Sequence, residues 1–227
     1  MDEITASPLL AFDLIVFDWD GTLFDSIAPI VRLINDAKSP VASMPDAVLL
    51  QHSGLLPVID QLLRDEQAIQ LNDLQLILEL AGLARVFQHA ELYDGIGLLL
   101  QKLHELGYKL ALISGRMQAE VHEELSRLAI GHYFSCIMCA DKKRIKPDPA
   151  ILLDVVRQVN CEAARTLMVG DSALDMEMAM LADVARMGTA YLTGHNPDYY
   201  IQCLKPWEPL AIARSVVELQ GLLLGHS

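Results

Sequence analysis

The most informative part of the sequence is a run of nine residues, Leu14-Ile15-Val16-Phe17-Asp18-Trp19-Asp20-Gly21-Thr22. Its first four residues are apolar and rich in β-formers, which predicts a strand buried on both faces, as in a parallel sheet covered by helices. The run then stops at two aspartates separated by one residue. Open α/β sheets bind their ligands at the carboxyl ends of strands, so this turn is a candidate functional site.

A plain polar turn whose aspartates cap the next helix is the simplest interpretation of this pair. However, two carboxylates held about 4 Å apart repel each other by roughly 4 kcal/mol at an effective dielectric near 20. A chain tolerates that repulsion when a cation or a strong donor relieves it. We therefore expect Asp18 and Asp20 to belong to a cation-binding site.

Composition limits the class of protein. The chain has 227 residues, 52% of them hydrophobic, which is enough for one domain of ordinary size plus an insertion. No apolar run reaches the ~20 residues that cross a bilayer, and the acidic amino terminus is unlike a secretory signal. Four scattered cysteines fit a reducing cytoplasm, where we expect the protein. Cys136 and Cys139 should face opposite sides of a strand rather than share a zinc ion.

The net charge of −13 argues against nucleic acid or an anionic membrane as the partner. It also means that an anionic ligand would have to be attracted by local cations, such as Lys146 or a bound metal ion.

The spacing of apolar residues predicts two domains. Residues 27–92 show helical spacing and no strand-like run, which predicts a small helical domain inserted after the first strand; residues 1–26 and 93–227 then form the core. In the core, the pattern alternates between strands and helices, which predicts an α/β fold with a parallel sheet. The expected strands are Lys109–Ile113, Phe134–Cys139, Thr166–Val169 and Val184–Met187. The expected helices are Leu98–Leu106, Glu120–Leu128 closed by Gly131, Pro149–Val159, Leu174–Leu181 and Ile212–Leu223.

Four of the predicted strands are followed by polar turns, and in a parallel sheet these turns meet at one edge. The turns carry Asp18 and Asp20, Ser114 and Gly115, Lys146, and Asp171 with Asp175. Several carboxylates suit Mg²⁺, which prefers oxygen ligands. The hydroxyl, the ammonium and the amides at helix starts suit a phosphoryl group. One carboxylate is left to attack phosphorus and a neighbour to move protons.

These segments resemble the four motifs of the haloacid dehalogenase superfamily, in order: Asp18-Trp19-Asp20-Gly21-Thr22, Ser114, Lys146-Pro147-Asp148-Pro149 and Gly170-Asp171-Ser172-Ala173-Leu174-Asp175. The resemblance implies a Rossmann-like core with a helical C1 cap, as in the subfamily that includes phosphoglycolate phosphatases. It also implies an Mg²⁺-dependent phosphomonoester hydrolase, acting as a monomer or homodimer on a small phosphorylated metabolite, with 2-phosphoglycolate as the leading candidate.

The resemblance assigns a role to each matching residue. Asp18 is the expected nucleophile, and Asp20 the acid and base. Ser114 and the Gly115 amide would hold the phosphoryl group, with Lys146 neutralising its charge and Thr22 bracing the turn close to the bound substrate. Asp18, the Asp20 carbonyl and Asp171 would bind Mg²⁺, with Asp175 assisting directly or through water.

Four other features are harder to interpret. Asp183 stands where relatives usually have a glycine that closes a helix. Trp19 replaces a more usual aliphatic residue and should pack away from the nucleophile. The basic run Lys142-Lys143-Arg144 is either a solvated loop or a docking site for a second anionic group. His122-Glu123-Glu124 is expected on a solvated helix face.

Three other functions share parts of this pattern. A phosphosugar mutase has the same layout but must keep its phospho-aspartate from water. A dehalogenase attacks carbon and has no use for a proton-shuttling Asp20. A phosphoacceptor signalling domain, which is not an enzyme, needs an acidic pocket and a lysine but no inserted helical domain.

Overall fold

A parallel sheet is the centre of the computed structural model, which describes residues 11–26, 90–139, 144–191 and 197–225. The strands are β1 (Leu14–Asp18), β2 (Lys109–Ile113), β3 (Phe134–Met138), β4 (Thr166–Gly170), β5 (Ala185–Thr189) and β6 (Ile212–Ala213). Their order across the sheet is β3-β2-β1-β4-β5-β6, and every neighbouring pair is parallel. The predicted α/β class is confirmed, and β1 lies between two other strands, which buries all five of its residues.

Helices cover both faces of the sheet. In chain order they are α1 (Ile96–Glu105), α2 (Gln118–Arg127), α3 (Pro149–Gln158), α4 (Ala173–Leu181), α5 (Pro197–Leu204) and α6 (Val216–Leu224). None of the helices in these segments is long and apolar enough to span a membrane.

Side chains of β1 alternate between two apolar clusters, one on each face of the sheet. Ile15 and Phe17 join a cluster that includes residues of α1, α2 and α6, whereas Leu14 and Val16 join one that includes residues of α3 and α4. The predicted separation of the two cysteines is also confirmed, because Cys136 belongs to the second cluster and Cys139 to the first. The two covered faces explain why the first four residues of β1 form a continuous apolar run.

The described residues that precede position 27 and those that follow position 89 are hydrogen-bonded to each other. The Asp25 amide donates to the Glu91 carbonyl at 2.9 Å, and the Tyr93 amide donates to the Leu23 carbonyl at 3.1 Å. The predicted helical domain, residues 27–92, lies outside the described residues except for its last three. The paired ends of the insertion are nevertheless part of the core, beside the turn that carries Asp18.

Two details near helix ends differ from the sequence-based expectation. The predicted helix Ile212–Leu223 is wrong at its start, because residues 212–213 pair with β5 as the edge strand β6. The helix begins only after Ser215, whose hydroxyl accepts a bond from the Glu218 amide and so caps α6. Gly131 does not close α2 either; Ala129 takes the left-handed conformation there, with φ 56°, and Gly131 begins a 3₁₀ turn.

Asp183 follows α4 in the left-handed conformation, with φ 54°. Its amide bonds to the Met180 carbonyl at 3.1 Å, and the Val184 amide bonds to the Ala179 carbonyl at 2.9 Å. This is a hydrogen-bonded helix end in which glycine is the preferred residue. The expected departure from the family pattern therefore has a structural consequence, namely backbone strain at one exposed position.

Replacing this residue, as Asp183→Gly, should raise the free energy of unfolding by about 1 kcal/mol. The left-handed conformation costs a non-glycine residue roughly 1–2 kcal/mol, and the greater freedom of glycine in the unfolded chain offsets part of the gain. Urea denaturation measures the change. Ala182→Gly, at φ −86°, is the matched control and should destabilise; equal losses in the two variants would contradict the interpretation.

Candidate active site at the carboxyl edge of the sheet

The residues predicted to form the site lie at or next to the carboxyl ends of adjacent strands. Asp18 ends β1 opposite Ile113 of β2, so Ser114 follows at the neighbouring strand end. Asp171 directly follows β4, which pairs with the other side of β1. Lys146 reaches the same place from the loop before α3, and Asp175 from the first turn of α4. The strand order thus makes Asp18 the centre of the group.

Lys146 forms ion pairs with two carboxylates. Its Nζ contacts Oδ1 of Asp18 and lies 2.7 Å from Oδ1 of Asp175. The exposed fractions of the three side chains are 8% for Lys146, 7% for Asp18 and 0% for Asp175. Burial acts to lower the pKa of Lys146, but Asp175 and Asp18 outweigh it and raise that pKa above its ordinary value. The lysine therefore stays cationic in the buried site.

Asp171 adds another negative charge beside this group. Carboxylate oxygens of Asp18, Asp171 and Asp175 all lie within 4.8 Å of one another. Burial raises the pKa of Asp18 to about 7, with Lys146 acting to lower it and Asp175 to raise it further. Burial also raises the pKa of Asp171 well above its usual range, and the charge of Asp18 adds to the increase.

This arrangement fits a divalent cation. Two buried carboxylates, Asp18 and Asp175, and the half-buried Asp171 face one ammonium, so the site carries two more negative charges than positive ones when all are ionised. Oδ1 of Asp171 is buried and makes no hydrogen bond to the described residues. A hard cation with oxygen ligands, such as Mg²⁺, would satisfy that oxygen and relieve the repulsion.

Asp175 is held by more contacts than its predicted role requires. Its Oδ2 accepts bonds from the Ser172 hydroxyl at 2.5 Å and from the Ser172 amide at 3.3 Å. The Asp175 amide donates to the Ser172 hydroxyl at 3.3 Å, so the two residues form a capping box at the start of α4. With Lys146 on its other oxygen, Asp175 fixes the lysine as well as the helix.

The turn after β1 is held against Asp171 by a close approach at Gly21. A Cβ atom on Gly21 would lie 2.4 Å from Oδ2 of Asp171, and Gly21 also has φ +81°. The Thr22 side chain is fully buried, with its hydroxyl 3.4 Å from Oδ2 of Asp18, and the Tyr191 hydroxyl donates to the Thr22 carbonyl at 2.5 Å. The turn is thus braced from both sides, and a substrate-binding role for Thr22 stays a prediction.

Ser114 and Gly115 differ in exposure. The Ser114 side chain is buried; its amide donates to the Met138 carbonyl at 2.9 Å and its hydroxyl accepts from the Arg116 amide at 3.1 Å. Gly115 is exposed, and no atom lies within 4 Å of a Cβ built on it. Gly115 therefore borders open space at the strand edge, and binding of a phosphoryl oxygen by its amide stays a prediction.

Asp20 has a partner that the sequence did not identify. Nη1 of Arg116 lies 3.5 Å from Oδ1 of Asp20 and 2.8 Å from Oε1 of Glu124. The indole of Trp19 donates to Oε2 of Glu124 at 2.8 Å and stacks on Phe24 with ring centroids 4.9 Å apart.

The expectation that Glu124 is solvated is wrong, because this residue is only 6% exposed. The spacing of Arg116, Glu120 and Glu124, each four residues from the next, is a signal that could have identified one charged face of α2.

The basic run is only partly described. Lys142 and Lys143 lie outside the described residues. Arg144 lies 3.2 Å from Oδ2 of Asp154 and 3.8 Å from Oδ2 of Asp148. At this residue, the solvated-loop interpretation is favoured over an anion-docking site.

Gly21→Ala should lower the free energy of unfolding by about 2 kcal/mol or more, because it adds both left-handed strain and a clash with Asp171. It should also abolish any rise of the melting temperature on addition of Mg²⁺. Gly97→Ala in α1 is the control; its Cβ would meet Leu92 only at 3.9 Å, and alanine favours the helix. Calorimetry of both variants measures their stability and melting temperature. Equal stability of Gly21→Ala and Gly97→Ala would contradict the close approach of Gly21 to Asp171.

Asp171→Asn should stabilise the metal-free protein at pH 8 by about 1–2 kcal/mol. Because the pKa of Asp171 is raised on folding, its ionised form destabilises the native state above the unfolded pKa, near 3.9. The difference should therefore fade as the pH falls towards 4. The free energy of unfolding in EDTA, measured for Asp171→Asn and wild type, gives this difference. Replacement of an exposed carboxylate, Asp94→Asn, is the control. An Asp171→Asn variant that is less stable than wild type at pH 8 would contradict the excess of negative charge.

Comparisons with known proteins agree with this geometry. A family model described as haloacid dehalogenase-like hydrolase matches residues 15–189, which is more than half of the chain. A phosphoglycolate phosphatase from Pseudomonas fluorescens is 28% identical over 196 residues, which cover 81% of this chain and 71% of that protein. The corresponding enzyme from Pseudomonas putida is 30% identical, with the same coverage of both chains.

Solved structures show the same fold. A haloacid dehalogenase family hydrolase from Deinococcus radiodurans, with bound phosphate and sodium, has a TM-score of 0.75 at 20% identity and covers 94% of this chain and 95% of that one. The predicted family resemblance is confirmed. The chain belongs to the haloacid dehalogenase-like hydrolases and, among them, is a hydrolase of the phosphatase kind, similar to phosphoglycolate phosphatases.

Proposed function

We propose that this protein is an Mg²⁺-dependent phosphomonoester hydrolase that forms an aspartyl-phosphate on Asp18 and acts on a small phosphorylated metabolite. The observation that carries the proposal is the environment of Asp18. Its carboxylate is buried at a strand end, contacts the Lys146 ammonium and lies within 4.8 Å of the Asp171 and Asp175 oxygens. One oxygen is thus held by a cation, and the other faces Thr22 at 3.4 Å.

The first chemical step transfers the phosphoryl group to Asp18. A carboxylate oxygen of Asp18 attacks phosphorus, the bond from phosphorus to the ester oxygen breaks, and the departing oxygen takes the proton of Asp20. Lys146 keeps Asp18 oriented and offsets negative charge on the phosphoryl oxygens. The Ser114 hydroxyl and the Gly115 amide donate to those oxygens, which is the positioning that phosphoryl transfer requires.

The second step restores the enzyme. Asp20, now a carboxylate, takes a proton from water as the water oxygen attacks phosphorus. The bond between phosphorus and Asp18 breaks, and inorganic phosphate leaves. Asp20 therefore acts first as an acid and then as a base, and atoms and charges balance over the cycle.

The Mg²⁺ ion would be bound by the Asp18 and Asp171 carboxylates and by the Asp20 carbonyl, and would supply charge stabilisation to the phosphoryl oxygens. We propose that Asp175 assists through water, because Lys146 and Ser172 already contact its two oxygens.

For the substrate, we propose 2-phosphoglycolate as the leading candidate, which rests on the similarity to phosphoglycolate phosphatases of Pseudomonas fluorescens and Pseudomonas putida. The net charge of −13 supports a small metabolite over nucleic acid or a membrane surface. We also propose a cytoplasmic location and a monomeric or homodimeric state.

Asp18→Asn should lower turnover of p-nitrophenyl phosphate in Mg²⁺ by more than about 10³-fold, because the amide cannot act as the nucleophile. A colorimetric rate assay and circular dichroism measure activity and folding together. The control is Asp13→Asn, which removes an exposed carboxylate paired with Arg165 at the other end of β1 and should keep near-normal rates. A folded Asp18→Asn variant with near-normal rates would exclude the assigned nucleophile.

A phosphate-release screen over a panel of phosphometabolites, with Mg²⁺ or with EDTA, tests the substrate and the metal. The expected result is Mg²⁺-dependent release that is fastest with 2-phosphoglycolate. A flat profile would contradict that substrate, and conversion of one sugar phosphate into another would favour the phosphosugar mutase.

A further inference from the structure

We infer that Arg116, held in place by Glu124 and Trp19, is a positioning residue that orients the Asp20 carboxylate towards the leaving oxygen of the substrate. This inference rests on the proposed function. It concerns residues to which the family motifs give no role, and it is carried by a closed set of contacts at the strand edge.

Arg116 contacts the two sides of the site. Its backbone amide donates to the Ser114 hydroxyl at 3.1 Å, and its Nη1 lies 3.5 Å from Oδ1 of Asp20. The loop after β2 thus connects the residue expected to bind the phosphoryl group with the residue expected to move protons. A shift of Arg116 would change the relative position of both.

Glu124 holds the guanidinium from behind. Its two oxygens lie 2.8 Å and 3.0 Å from Nη1 of Arg116, and it is only 6% exposed. Breaking a buried ion pair by removing one partner is costly, because the other charge is left uncompensated. Glu124 therefore restricts Arg116 to one position beside Asp20.

Trp19 closes the ring of contacts. It stands between Asp18 and Asp20 in the chain, and its indole donates to Oε2 of Glu124 at 2.8 Å. The turn that carries Asp20 therefore also anchors the glutamate that holds Arg116. With the backbone and the side chain of Asp20 both tied to one cluster, the carboxylate has little freedom to rotate.

The charge balance excludes the alternative that Arg116 mainly receives an anionic part of the substrate. Three carboxylates lie within 3.5 Å of its guanidinium, those of Asp20, Glu120 and Glu124. Asp20 carries a proton when it acts as the acid, but the two negative charges of Glu120 and Glu124 still exceed the single positive charge of the arginine. A further carboxylate or phosphate from the substrate would meet net repulsion there.

Proton donation to the leaving oxygen matters most when that oxygen is strongly basic. Two aryl phosphates of similar shape, p-nitrophenyl phosphate and p-methoxyphenyl phosphate, differ mainly in this property. Their kcat/KM values report the steps up to phosphoryl transfer, so their ratio isolates the contribution of a well-placed acid.

Arg116→Met should lower kcat/KM for p-methoxyphenyl phosphate by about 10-fold or more beyond its effect on p-nitrophenyl phosphate. Arg116→Lys should restore part of the ratio. Glu124→Gln, which keeps the shape of the side chain, should also lower kcat/KM more for p-methoxyphenyl phosphate than for p-nitrophenyl phosphate. This variant tests the proposal if Arg116→Met does not fold. Arg157→Met, an exposed arginine of α3, is the control and should leave both values unchanged.

The outcomes separate the two proposals. If the wild type is active, and Arg116→Met and Glu124→Gln keep its ratio of the two kcat/KM values, the positioning role alone is overturned. The ratio is kept when both substrates lose kcat/KM by the same factor. A wild type that hydrolyses neither ester would overturn the proposed function and the role of Arg116 together.

Discussion

The buried ion pairs of Lys146 are the interaction on which the whole site depends. The ammonium contacts Asp18 and lies 2.7 Å from Asp175, and all three side chains are more than nine-tenths buried. Removing one partner of such a pair typically costs about 3–5 kcal/mol, because it leaves an uncompensated charge away from water. Lys146 therefore holds the candidate nucleophile and the first turn of α4 in one arrangement.

The sheet provides the rigidity that this concentration of charge requires. Asp18 lies at the end of a strand with hydrogen-bonded neighbours on both sides and an apolar cluster on each face. Gly170, the last residue of β4, leaves no space before α4, since a Cβ there would lie 2.5 Å from Asp175. Apolar packing thus holds together carboxylates that would separate in water. Their mutual repulsion favours binding of a cation, because the cation would relieve it.

Most of this arrangement was predictable from the sequence because each part depends on a short, local signal. The apolar run before Asp18 indicates a doubly covered strand, and parallel topology brings the polar turns together. The edge strand β6 was missed because two residues are too few to show a period of two. Glu124 was missed because a charged residue on an amphipathic helix is normally solvated; its burial depends on Trp19, which is 105 positions away. Contacts of that kind have no local signal.

The same charge balance explains how an acidic protein can bind an anion. When they are ionised, Asp18, Asp171 and Asp175 exceed Lys146 by two negative charges, and Arg116 is already surrounded by three carboxyl groups. A phosphate ester would therefore meet a repulsive field, within a chain of net charge −13, until a divalent cation cancelled the excess. Because that cation would balance the carboxylates before the substrate adds its own charge, binding of the metal ion should precede binding of the phosphate ester. The residues that make the metal-free site electrostatically unfavourable are thus the ones that make phosphate binding dependent on the metal ion.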